Sequence, residues 1–186
     1  MARFEELQMT IAESAKNYLD IFNMQVLIEQ FTLDREGKFF LTLPNMEQPF
    51  PVSATVSFVY DAFQTGMTLY EDNEPDENSD VDTSVELEFT VKLPFMKDYP
   101  DIELLLDEIN EEYPDTEPIL TIKEIVGGDE PFREYEIHYS YGIDIEDTKD
   151  SELFDDIFQE LKDMMELIYE RTENYIDQSW YGGEEQ

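Results

Sequence analysis

Thr83-Ser84-Val85-Glu86-Leu87-Glu88-Phe89-Thr90-Val91-Lys92-Leu93 alternates without a break. Val85, Leu87, Phe89, Val91 and Leu93 fall on one face; Ser84, Glu86, Glu88, Thr90 and Lys92 fall on the other. Period two belongs to a strand, whose successive side chains point to opposite faces. One face is apolar and the other polar. Such a strand sits in a sheet buried on a single side, and this favours antiparallel pairing.

Working outward, the same pattern recurs. Phe50, Val52, Ala54, Val56, Phe58 and Tyr60 alternate with smaller or polar residues up to Asp61. Tyr135, Ile137, Tyr139, Tyr141 and Ile143 share a face, opposite Glu134, Glu136, His138 and Ser140. Ile119 to Val126 and Arg133 to Ile143 form one hairpin. Val26 to Leu33 and Lys38 to Leu43 form another, with Asp34-Arg35-Glu36-Gly37 as its loop and Gly37 at a left-handed position. Gln64-Thr65-Gly66 reads as a turn leading to a short strand, Met67 to Tyr70.

Three segments follow the helical period. Phe4, Leu7, Ile11, Ala15, Tyr18, Leu19 and Phe22 stripe a helix over Ala2 to Asn23. Pro100-Asp101 opens a short helix with Ile102, Leu105, Leu106 and Ile109, ended by Tyr113-Pro114-Asp115. Phe154, Ile157, Phe158, Leu161, Met164, Met165 and Ile168 stripe a long helix over Ser151 to Asp177, capped by Asp150 or Ser151. The expected fold class is α+β: a two-layer domain with an antiparallel sheet of about six strands and helices on one face. It spans residues 1–177. An insertion at 71–82 and a tail at 178–186 stand apart from it.

Charge excludes several function classes. The 186 residues carry 11 Lys and Arg against 47 Asp and Glu, a net charge of −36. No base lies between Lys38 and Lys92. Binding nucleic acid needs Lys and Arg to neutralise phosphates, so direct contact with nucleic acid or an anionic membrane is not expected. Basic partners are favoured, because complementary potentials speed encounter. The acidity has three readings: a solvated surface, adaptation to high salt, or a face that receives a basic partner. There is no cysteine and one histidine, so disulfides, thiol catalysis and multi-Cys or multi-His metal sites are excluded. No apolar run is long enough to span a membrane, and Met1-Ala2-Arg3-Phe4-Glu5-Glu6 lacks a signal peptide's apolar centre. The expected location is the cytoplasm.

Candidate chemistry is sparse. Glu71 to Asp82 holds seven acids, no base, and is expected to form a mobile loop. Within it Asp72, Glu74, Asp76, Asp80 and Asp82 are candidate ligands for a divalent ion. The EF-hand pattern fails, because Glu77 stands where glycine is needed and Thr83 where a bidentate glutamate is needed. Val126-Gly127-Gly128-Asp129-Glu130-Pro131-Phe132 shares four residues with the signature of cyclic-dinucleotide synthases, and it reads as a hairpin turn. Asp80 with Asp82 and Asp144 with Glu146 are paired carboxylates of the kind that 47 acids produce by chance. His138 has no nucleophile motif with it and reads as a structural histidine. No cofactor is expected, and neither is enzymatic activity.

The element order resembles the secretion-chaperone-like family, meaning type III secretion chaperones and the bacterial YbjN-like proteins. The residues that carry the likeness are the first helix through Phe22, the strands ending at Val85–Leu93 and Leu104-Leu105-Leu106-Asp107-Glu108-Ile109-Asn110. The hairpin Arg133-Glu134-Tyr135-Glu136-Ile137-His138-Tyr139 and the helix from Glu152 to Ile168 complete it. The resemblance implies a small acidic homodimer that holds an extended partner segment along its surface. It transfers no functional residue. The expected function is therefore a non-enzymatic acidic protein-binding domain, chaperone-like, whose partner is basic or partly unfolded. The alternative is an inhibitor of a basic protein, of the DNA-mimic or immunity type, using a negative stripe of Glu86, Glu88, Glu134, Glu136, Asp144 and Glu146. A metal-dependent hydrolase is a third class.

Overall fold

The structure is a computed structural model that describes residues 4–18, 25–31, 34–42, 52–61, 84–96, 101–126, 132–144 and 147–177. In chain order the elements are α1 (Phe4–Tyr18), β1 (Gln25–Phe31), β2 (Asp34–Thr42), β3 (Ser53–Asp61) and β4 (Ser84–Lys92). Then come α2 (Ile102–Glu112), β5 (Ile119–Ile125), β6 (Phe132–Asp144) and α3 (Ser151–Thr172). Short 3-10 turns at Asp147–Lys149 and Glu173–Tyr175 flank α3. The strands lie in the order β1-β2-β3-β4-β6-β5, every neighbouring pair antiparallel. The class is α+β.

Alternation decides what is buried. Val52, Ala54, Val56 and Phe58 leading into and along β3, Val85, Leu87, Phe89 and Val91 of β4, and Tyr135, Ile137, Tyr139 and Ile143 of β6 are all buried. They form one cluster with Leu7, Ile11 and Ala15 of α1, with Ile102, Leu105 and Ile109 of α2, and with the whole α3 stripe from Phe154 to Ile168. Removing one such side chain to alanine typically costs about 2–5 kcal/mol. An aromatic knot ties three elements together. Phe89 stacks on Tyr139 and meets Tyr141 edge-on at 5.7 Å and Phe158 of α3 edge-on at 6.1 Å.

The helix starts are fixed by side-chain caps. The Asp101 carboxylate accepts from Leu104 N–H at 3.2 Å and the Asp150 carboxylate from Glu152 N–H at 2.9 Å. Each satisfies a donor that has no partner within its helix.

Two boundaries differ from the sequence expectation. Asp34 to Gly37 lie inside β2 rather than in a hairpin loop. Gly37 pairs with Ile28 on one side and Phe58 on the other, and Asp34 pairs with Phe31 and Asp61. Two flanking ladders outweigh the turn preference of these residues. The first helix is described over Phe4–Tyr18, with residues 19–24 outside the described set. The last helix stops at Thr172, whose hydroxyl donates to the Ile168 carbonyl at 2.7 Å. Beyond it Ile176 bridges Met96, and Asp177 N–H donates to the Phe95 carbonyl at 2.8 Å. The turn at Gln64–Gly66, the strand at Met67–Tyr70, the stretch 71–82, residues 127–131 and the tail 178–186 lie outside the described residues.

Candidate functional site

The face of the sheet opposite the core brings the polar residues together. Ser53, Thr55 and Ser57 of β3 stand opposite Lys92, Thr90 and Glu88 of β4. Thr90, Glu88 and Glu86 stand opposite His138, Ser140 and Gly142 of β6. On the other side of β6, Lys123, Thr121 and Ile119 of β5 stand opposite Glu134, Glu136 and His138. Cross-strand neighbours on one face lie close enough to interact.

This face has two electrostatically different ends. At one end cations take up the carboxylates. Lys92 Nζ donates to Glu134 at 2.8 Å, and Lys123 Nζ donates to Glu136 at 2.5 Å. The same Glu136 oxygen lies 3.4 Å from His138 Nε2, while His138 Nδ1 lies 3.0 Å from the Thr90 hydroxyl. His138 thus has a polar neighbour at each ring nitrogen. Glu136 is buried, at 8% exposure, and a carboxylate so desolvated needs these partners.

At the other end the carboxylates stay open. Glu86 and Glu88 are exposed on β4, and Glu88 accepts from the Ser57 hydroxyl at 3.3 Å. Beyond α2 the loop Tyr113–Pro118 carries Asp115 and Glu117 to the same place. Glu86, Glu88, Asp115 and Glu117 line a cleft of about 440 Å³ with Ile119, His138 and Ser140. No Lys or Arg among the described residues lies within 4 Å of these four carboxylates. Glu117 has φ 43°, in the left-handed region. For a residue with a Cβ this conformation costs roughly 1–2 kcal/mol.

Four of the residues expected to form an acidic stripe are therefore divided. Glu86 and Glu88 border the cleft, and Glu134 and Glu136 are engaged in ion pairs. Asp144 is exposed at the end of β6, opposite Ser84. Glu146 and the candidate metal ligands Asp72, Glu74, Asp76, Asp80 and Asp82 lie outside the described residues. Neither alternation nor helical period singles out Asp115 and Glu117 as site residues. Their signal was the pair of acids between Pro114 and Pro118, immediately before a strand. Among the described residues no group of three or more His, Asp or Glu side chains is placed to hold a metal ion. No described helix is long and apolar enough to cross a membrane.

Beneath the sheet a tyrosine cluster meets α3. The Tyr141 hydroxyl donates to Glu160 at 2.5 Å. Burial first, then that bond and the Glu160 charge, push the Tyr141 phenol far above its usual range. Burial also raises Tyr139, with Tyr141, Glu160 and Tyr113 adding to it. Tyr113 is pushed up to about 12 by burial and by the charges of Asp163, Glu112, Glu160 and Glu166. All three stay neutral at physiological pH, so this cluster supplies packing rather than a phenolate.

Comparison of the chain with protein-family models, with curated proteins and with solved structures found no match. The functional reading rests on the geometry of the open face.

Proposed function

We propose that this chain is a non-enzymatic, chaperone-like protein-binding domain that receives a positively charged polypeptide on the open face of its sheet. The observation that carries this reading is the set of four carboxylates, Glu86, Glu88, Asp115 and Glu117, around one cleft, with no Lys or Arg among the described residues within 4 Å of them. Fields focused in a cleft raise the local concentration of oppositely charged ligands. The net charge of −36 supplies long-range attraction of the same sign. Ile119, 66% exposed beside the carboxylates, offers apolar contact within the same cleft. The alternative of a duplex-DNA mimic needs Glu134 and Glu136 as free charges, and both are spoken for by Lys92 and Lys123.

Titration calorimetry with a ten-residue lysine-rich peptide at low salt tests the reading. Any protein this acidic attracts polycations, so the decisive comparison is between variants of equal charge. Glu86→Gln with Glu88→Gln should weaken binding about tenfold or more. Glu103→Gln with Asp107→Asn, on the exposed side of α2, should leave it within about twofold. Equal effects of the two double variants would defeat the reading.

A further inference from the structure

The hydrogen bond from Leu93 N–H to the Tyr135 carbonyl, 3.0 Å, sets the phase of the β4–β6 ladder. In an antiparallel pair, alternate residues exchange both bonds with the partner strand, and those between present their N–H and C=O to the other side. Leu93 and Tyr135 lie in register with Phe89↔Tyr139, Leu87↔Tyr141 and Val85↔Ile143. Odd-numbered residues of β6 therefore bond β4. Even-numbered residues face away from it, toward β5.

β5 covers that edge for only part of its length. Its pairing runs from Ile125↔Phe132 to Ile119↔His138 and stops, while β6 continues to Asp144. Ser140, Gly142 and Asp144 thus turn their backbone groups to an edge on which no strand lies among the described residues. No hydrogen bond among the described residues reaches them from that side. The cleft lies at this notch, with Ile119, Ser140 and the loop residues Asp115 and Glu117 around it. A row of unpaired N–H and C=O groups is a template for another extended chain.

Resting on the reading above, we propose that the partner binds as an extended segment added antiparallel to β6 along Ser140–Asp144, in line with β5. The register dictates its chemistry. Partner residues opposite Ser140, Gly142 and Asp144 project onto the open face, two strand spacings, or about 9–10 Å, from β4. Glu86 stands across from Gly142, which has no side chain to fill the space between, so a Lys or Arg there reaches Glu86. Residues between them project to the core side beside Tyr141 and Ile143 and are apolar. The segment alternates basic and apolar residues. A second copy of this chain does not suit the notch, because each copy carries −36. Nor do the chain's own residues 71–82 suit it, with seven acids and no base.

The probe is the acetylated, amidated peptide Lys-Val-Lys-Val-Lys-Val-Lys with a fluorescent label, titrated into the full chain and read by anisotropy. In this register the lysine amides bond to β6 and the valine amides face outward. N-methylation of the lysines should weaken binding at least tenfold. N-methylation of the valines should leave it within about threefold. Hydrogen exchange should find the amides of Ser140, Gly142 and Asp144 fast in the free protein and slowed by the peptide. If both methylated peptides bind like the parent, strand addition is overturned while the cationic-partner reading stands. If no peptide binds at low salt, both fall. If the three amides are protected without peptide, the chain fills its own notch and the proposal is overturned.

Discussion

The ring of Tyr139 lies flat on that of Phe89, with 4.9 Å between centroids and 5° between planes, and in this position it buries a hydroxyl that finds no hydrogen-bonding partner. A buried polar group without a partner costs about 1–3 kcal/mol. Tyr139→Phe keeps the stacking and removes that group. Its unfolding free energy in urea should rise by about 1 kcal/mol or more, whereas Phe89→Ala should lose about 3–5 kcal/mol.

The three raised phenols predict a steep alkaline limit. In the unfolded chain each tyrosine ionises near 10. In the folded protein Tyr113 waits until about 12, and Tyr139 and Tyr141 are also raised. The folded state then holds more protons, so their stabilising contribution is complete below pH 10 and is lost as pH climbs from 10 toward 12 and beyond. Melting temperature measured from pH 8 to 12 should be flat at first and then fall. Tyr139→Phe should make that fall shallower.

Two ion pairs with similar names should behave differently. Lys123 serves Glu136, whose side chain is 10% exposed, and Lys162 reaches Glu166, 54% exposed and four residues along α3, at 3.9 Å. Lys123→Met takes from a desolvated carboxylate its nearest cation and should cost about 1–3 kcal/mol. Lys162→Met should cost no more than about 0.5 kcal/mol. Denaturant midpoints of the two variants check this directly.

Glu117 offers a clean way to subtract one cleft charge. Glycine tolerates the left-handed backbone there, and the relief of roughly 1–2 kcal/mol offsets the entropy that glycine adds to the unfolded chain. Glu117→Gly should therefore hold stability within about 1 kcal/mol of the parent and still weaken binding of the lysine-rich peptide several-fold. Glu117→Val, β-branched at the same φ, should melt earlier.

Much of this architecture could be read from alternation and helical period. The face Val85–Val91 is buried as its pattern demands, and every residue of the expected α3 stripe from Phe154 to Ile168 is in the core. Periodicity says which face is inside, and it does not say which strands are neighbours. That is why Glu134 and Glu136 read as open charges although Lys92 and Lys123 face them across strands. The same limit hid the cleft, whose existence depends on β5 starting opposite His138 while β6 runs six residues further. Asp34 to Gly37 misled for a related reason, since turn-forming residues accept a strand when neighbours on both sides pair with them.

The packing of α1 against α3 joins the beginning of the described chain to its end. During synthesis the apolar faces of β3 and β4 emerge long before residues 151–172 exist to cover them. Nascent chains on one message therefore pass through an interval in which apolar surface is uncovered, and the charge of strongly acidic polypeptides opposes their association during it.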